Sequence, residues 1–477
     1  MTNPETDDRG ARSAGIAPRR RWRFDAVDAV TVYIALSCLI PASDALVGLN
    51  SYGRPSMLWG LLLLFWWFGD HLYRGAREPA RHAKPARFVF GVFVVVALVS
   101  FAAAMLRGQP IDQVSPAVNG VLQLSSWAGV LLIAADGIRT VDQVRTIMRR
   151  FVWMACFEAA IGVVQFATRE SVVDHLSIPG LEVVEPSPIQ VRGAFVRANG
   201  TTIHPLEYGS VLCMALPMAL ALAATSRRSV PLDRRPVEGS LAWLARWAPA
   251  GFLAGALLLS ASRSSLLGLI AAIAVVAPGL PRVSRRTLLI GGATLAVLVM
   301  VAVPGLFRTM EGFFLGASDD PSTLSRTNGL AAAPGFIKAS PFIGTGLGTF
   351  LPRYYVFDDA WVLITIELGI IGAVMFGALL AVAMYSALRA HWVSSRVDVG
   401  VLGQALAAAV ATTAVVFAGF DGLSFPVSAG MLFLILGLSS ALLTAAHADR
   451  DSEPMARHRS LDAHGQPAYR PQAPAIR

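Results

Sequence analysis

The chain reads as an all-α polytopic membrane protein, and three observations lead there. Of its 477 residues, 55% are hydrophobic and 15% charged, with a mean hydropathy of +0.56, far more apolar content than one water-soluble core needs. Apolar runs repeatedly reach the roughly 20 residues a helix needs to cross the hydrocarbon layer. The basic residues gather in short clusters between those runs. Only helices or closed barrels satisfy backbone polar groups in lipid, so a multi-span helical bundle follows.

Spans are predicted near residues 28–48, 56–73, 87–106, 117–136, 150–168, 205–225, 245–260, 264–280, 286–305, 360–388, 400–420 and 424–446, about twelve in all. Alternate loops should then carry the arginine excess, and they do: RRRWR at the N-terminus, RGAREPARHAKPAR, Arg139 to Arg150, SRRSVPLDRR, PRVSRR, RAHWVSSR and the C-terminal tail. Both termini are therefore expected in the cytoplasm, with the protein multi-pass in the cytoplasmic membrane. The outward set holds two long loops, 169–204 and 306–359, the short turn at Arg263, and small turns near Asp112 and Asp421. The division expected is an N-tail over 1–24, a membrane domain over 25–448 and a C-tail over 449–477, both tails aperiodic, polar and disordered. Residues 1–24 lack the apolar core of a removable signal peptide, so the first apolar run is read as the first span.

A net charge of +9 could point to nucleic acid, but the clusters read as orientation signals, and no nucleic-acid partner is expected. Cys38, Cys156 and Cys213 lie far apart inside apolar runs, which argues against both a disulfide framework and a metal site. No cofactor is expected.

The outward arginines are the unexpected ones. LLLSASRSSLLGLI, residues 257–270, sets Arg263 among Ser260, Ser262, Ser264 and Ser265. A snorkelling or helix-ending arginine competes there with a phosphate-binding one, and the serines allow close helix packing or donate to a phosphate oxygen. QVRGAFVRANGTTIHPLEYG, 190–209, holds Arg192, Arg197, His204 and Glu207 above a span that begins near Pro205. A helix N-terminus there favours an anion between it and Arg197. His204 reads as a capping group or a base, and Glu207 as a first-turn acid or a base.

The second long loop combines Arg326, the run GTGLG at Gly344 to Gly348, Arg353, Tyr354, Tyr355, Asp358 and Asp359. No Walker lysine follows GTGLG, which reads as a sharp turn. Asp358 and Asp359 directly precede the tenth span, so one can cap that helix while the other does chemistry. Glu367, two turns further on, and Glu158 in the fifth span are intramembrane acids, functional by default or satisfied by packing.

These residues carry a resemblance. RANGTTIHPLEYG (197–209), SASRSSLLG (260–268), SRTNG (325–329), SPFIGTGLGTF (340–350) and DDAWVLITIELGIIG (358–372) together resemble the O-antigen ligase and O-antigen or exopolysaccharide polymerase family of membrane glycosyltransferases, over residues 190–390. The resemblance implies a GT-C-like fold and transfer of a glycan from a polyprenyl-pyrophosphate donor, such as undecaprenyl pyrophosphate, to a hydroxyl acceptor on a glycan or lipid-glycan. That transfer takes place at the outer leaflet without metal or nucleotide sugar. It also implies that Arg197, Arg263 and Arg326 hold the pyrophosphate, with Arg192, Ser262, Ser264, Tyr355 and Glu367 in support. Where the ligases show His-Asn, this chain has Asp358-Asp359, leaving Asp358, Asp359, His204 and Glu207 as rival bases. A direct displacement would invert the anomeric carbon. Other polysaccharide-assembly proteins are the expected neighbours. A flippase of lipid-linked oligosaccharide and a non-catalytic assembly protein are the competing readings; the gathering of charge on one outer face, not along a midplane path, stands against the flippase.

Overall fold

A computed structural model describes residues 24–74, 84–192, 195–225, 239–260, 262–305, 308, 311, 321–394 and 396–462. The helices in chain order are α1 (Ala26–Leu39), α2 (Pro55–Arg74), α3 (Pro85–Leu106), α4 (Ile111–Gly137), α5 (Val141–Thr168), α6 (Pro205–Thr225) and α7 (Ser240–Leu259). There follow α8 (Arg263–Val276), α9 (Arg282–Ala302), α10 (Pro321–Ile337), α11 (Ala360–Val393), α12 (Val397–Phe417) and α13 (Pro426–Asp462). Each expected span falls on a helix. Among the described residues, nine (α3 to α7, α9 and α11 to α13) are long and apolar enough to cross a membrane, whereas α1 and α8 are shorter apolar helices. Most of the expected N-tail lies outside the described residues.

Three features depart from expectation. Helix α1 stops at Leu39, because Pro41 follows and the chain then docks sideways: Ala42 N–H donates to the Thr201 carbonyl, and β1 (Asp44–Leu46) pairs antiparallel with β2 (Leu181–Val183). The segment 306–359, expected to be a loop, contains the 17-residue helix α10; its mixture of Ser, Thr, Arg and Ala has no apolar periodicity to announce it. Helix α13 runs to Asp462, past the expected start of the C-tail at 449.

Helices α6 and α13 form the centre, with 89% and 94% of their apolar windows buried, and α9 lies outermost with none of its window buried. Small residues let the central helices approach closely. A Cβ on Gly209 of α6 would lie 2.0 Å from the Ser265 Oγ of α8, one on Gly403 of α12 would meet the Ala387 carbonyl of α11, and one on Gly430 of α13 would meet the Tyr33 hydroxyl.

Polar contacts gather at both ends of the bundle. At one end Lys84 and Arg87 pair with Asp136, Arg145 and Arg396 with Asp398, Arg396 with Asp449, and Arg150 with Asp28. The other end gathers both long loops: Arg54 pairs with Glu185 at 2.6 Å, the Arg107 side chain donates to the Gly344 carbonyl, and Gln113 donates to the Tyr354 hydroxyl.

Helix α11 is broken at Gly369, whose φ of 71° is favourable only for glycine. The break frees the carbonyls of Ile366 and Glu367, and the GTGLG run satisfies them: Thr345 N–H donates to Ile366 and Gly346 N–H to Glu367, both at 2.9 Å. The run is the sharp turn its sequence predicts, with positive φ at Gly344, Gly346 and Gly348.

Candidate functional site

The long-loop end divides into two neighbourhoods. In the first, α5 and α6 carry buried acids that face backbone. Thr201 donates its N–H (2.9 Å) and its hydroxyl to Glu158, while Gln165 Oε1 accepts from the N–H groups of Asn199 and Gly200. These bonds hold the Asn199-Gly200 turn down on α5. Glu207, fully buried, accepts from Ile203 N–H at 3.0 Å and from Val427 and Ser428 N–H at 2.7 and 3.2 Å. It therefore caps the first turn of α13 and ties to it the segment that leads into α6. His204 Nδ1 accepts from Leu206 N–H at 3.1 Å, and its ring lies against Phe425. Burial, reinforced by the nearby Arg197 charge, lowers its pKa to about 4, so it is neutral at pH 7. Arg197, in β4 (Phe195–Arg197), donates to Gln190 in the paired strand β3 (Gln190–Arg192); the Arg192 side chain lies outside the described residues.

In the second neighbourhood the charges face small side chains. Arg263 is the first residue of α8 and is 9% exposed; its guanidinium donates to the Thr323 hydroxyl of α10. Ser262 is the N-cap, yet its side chain makes no capping bond, and its Oγ is buried without a hydrogen-bond partner. From α10, Arg326 donates to the Ser264 hydroxyl at 3.4 Å and to the Gly419 carbonyl at 2.6 Å. The N-terminus of α8 thus receives no cap from its own N-cap serine; Arg263 and Arg326 flank it, with Ser262 and Ser264 beside them. Backbone N–H groups, the positive dipole end and arginine forks together suit an oxyanion.

Beside it stand the aspartates. Asp359 caps α11: its Oδ1 accepts from Trp361 and Val362 N–H at 2.8 and 3.2 Å. Burial raises its pKa against those bonds and the opposing Arg326 charge. Asp358 Oδ2 instead accepts from the Ser325 hydroxyl of α10 at 3.4 Å. Tyr355 packs its ring on Phe357, 4.7 Å away, and against Gly329 of α10. Glu367 lies at the break in α11, where its side chain accepts from Phe350 N–H at 3.3 Å and secures the glycine-rich turn.

Sequence reasoning placed Asp421 only in a small turn, yet the fold brings it to this neighbourhood. Its turn follows Gly419, the acceptor of Arg326, and its Oδ1 is buried without a hydrogen-bond partner. Burial pushes its pKa up to about 6, the Asp358 charge adds to the rise, and bonds from Ser424 and Leu423 oppose it. The only sequence signal is an acid in an outward turn. Among the described residues, no three His, Cys, Asp or Glu side chains gather as a metal ion would require.

The fold is that of a multi-pass helical membrane protein, with Arg263 and Arg326 beside the N-terminus of α8. Residues 248–377 match the family model described as O-antigen ligase. The matched stretch includes Arg263, Arg326, Asp358, Asp359 and Glu367; Arg197, His204, Glu207 and Asp421 stand outside it. No curated protein matches the chain.

Proposed function

We propose that the protein is a glycosyltransferase of the cytoplasmic membrane that moves or polymerises a glycan from a polyprenyl-pyrophosphate donor onto a hydroxyl acceptor at the outer face. The observation that carries this reading is the serine-rich N-terminus of α8, whose N-cap Ser262 makes no capping bond, with Arg263 and Arg326 beside it. A pyrophosphate leaving group develops negative charge as its bond to the anomeric carbon breaks, and preorganised cations and N–H groups stabilise that charge most in the transition state. In this reading Arg197, on its hairpin before α6, also serves the pyrophosphate.

The acceptor hydroxyl attacks the anomeric carbon from the side opposite the pyrophosphate, inverting it, and passes its proton to an acid of the site. Asp358 fits that role best, because Asp359 and Glu207 already accept from helix N-termini and His204 accepts through Nδ1. In this reading the arginines provide the cationic stabilisation, so transfer is independent of added metal. The arginine-rich loops, and with them both termini, lie in the cytoplasm.

Purified protein in lipid nanodiscs, given a polyprenyl-pyrophosphate oligosaccharide, should release polyprenyl pyrophosphate and lengthen or transfer the glycan with inverted anomeric configuration. Chelator should leave the rate unchanged. Movement of intact donor between leaflets without cleavage would replace this reading with a flippase.

A further inference from the structure

Arg263 stands where a helix least favours a cation. It is the first residue of α8; side chains on a helix lean towards its N-terminus, and the positive end of the dipole repels a guanidinium there. A long arginine without ties would relieve that repulsion by swinging towards water. Instead Arg263 is 9% exposed, and its guanidinium donates to the Thr323 hydroxyl of α10. A group from another helix thus holds the charge at the end of α8.

Helix α10 is built to set that contact. It turns one face towards the rest of the protein: Gly329 and Ala333 are buried and Thr323 and Arg326 partly so, while Leu324 and Leu330 are exposed. Residues three and four apart share a face, so these four positions form one stripe. Its apolar end docks at the start of α11, where Ala333 packs in a buried cluster with Phe357 and Ile366. Its polar end meets α8. Thr323 accepts from Arg263, and one turn on Arg326 donates to the Ser264 hydroxyl at 3.4 Å and to the Gly419 carbonyl at 2.6 Å. One docked helix therefore fixes two guanidiniums carried by two different helices.

We propose that Thr323 is a positioning residue for glycosyl transfer: its hydroxyl holds the Arg263 guanidinium beside the α8 N-terminus before the donor arrives. The proposal rests on the glycosyl-transfer reading above, and the role of Thr323 passes through Arg263 alone. A hydroxyl suits the task, because it accepts a hydrogen bond and leaves the positive charge in place, where a carboxylate at that position would offset it. Fixing the arginine in advance removes the ordering of a long side chain from the barrier. The gain falls on kcat, since the charge that Arg263 answers develops only as the bond between the anomeric carbon and the pyrophosphate breaks.

The test is a double-mutant cycle in nanodiscs, using a polyprenyl-pyrophosphate oligosaccharide and its acceptor, on wild type, Thr323→Val, Thr323→Ser, Arg263→Ala and the R263A/T323V double variant at equal folded concentration. T323V keeps the shape of the side chain and removes the hydroxyl. It should lower kcat about 10-fold and change the donor KM less than about twofold, whereas T323S should return kcat to within about twofold of wild type. The double variant should be no slower than R263A, because the hydroxyl then has nothing to hold. Losses that multiply in the double variant overturn the proposal, as does T323V with wild-type kcat or with a defect confined to KM; in each case transfer by wild type leaves the glycosyl-transfer reading standing. No transfer by wild type overturns both. Should T323V not fold, T323S is compared with Thr323→Ala in both backgrounds. A gap in kcat of about 10-fold that closes in R263A is expected, and equal gaps in the two backgrounds overturn the proposal.

Discussion

The two halves of the long-loop end use buried charge in opposite ways. On the α5–α6 side, Glu158 and Glu207 accept from backbone N–H groups, and removing those contacts would leave the Asn199–Thr201 turn and the start of α13 without anchors. On the α8–α10 side, the partners of Arg263 and Arg326 among the described residues include serine and threonine hydroxyls and one carbonyl, around a helix N-terminus whose N-cap serine makes no capping bond. Intramembrane or rim charge thus divides into groups that hold loops and groups arranged around a helix N-terminus. Burial alone does not tell them apart; the chemistry of the partner does.

The largest break in this comparison should come from the arginines. Arg263→Ala and Arg326→Ala are expected to lower kcat about 100- to 1,000-fold, the loss typical of one transition-state donor, while the protein still inserts. Steady-state turnover beside a detergent melting curve checks this; a loss of folding with the loss of rate would put these arginines with the loop-holding acids. Glu158→Ala and Glu207→Ala should behave conversely. Each orphaned buried N–H costs about 1–3 kcal/mol, so the melting midpoint should drop before any specific effect on turnover of the surviving protein is seen.

Smaller effects sharpen the comparison. Gly369→Ala forces a left-handed φ on a residue whose Cβ would lie 2.1 Å from the Phe342 carbonyl oxygen, and should cost about 1–3 kcal/mol with a matching fall in thermal midpoint. His204 should give the smallest change. Its folded pKa, about 4, lies below the ordinary 6.5, so its contribution to stability is full above pH 6.5 and is lost as pH falls towards 4. His204→Gln keeps an acceptor for Leu206 N–H and should flatten that acid-side loss without abolishing transfer at pH 7; abolished transfer would make His204 the base.

Much of the architecture was legible in advance. Apolar run length located the helices. The glycine run was legible as a turn because closely spaced glycines admit positive φ. Helix α10 was not, since its sequence has no periodic apolar face and its place is set by Arg263, Gly419 and Asp358 on other elements. The division of labour between Asp358 and Asp359 was open for a similar reason: either could cap α11, and only the backbone path gives that task to Asp359.

The sequence by itself determined that this is a membrane helical protein, which loops share a face, and that arginines stand where the charge rule disfavours them. These follow from hydrocarbon thickness and charge asymmetry, which act along the chain. Only the tertiary structure decided which charges anchor backbone, which surround the α8 N-terminus, and that Arg326 reaches the Gly419 carbonyl from 93 positions away. Such pairings depend on distance through space and on dehydration of particular atoms, and neither is written in the order of residues.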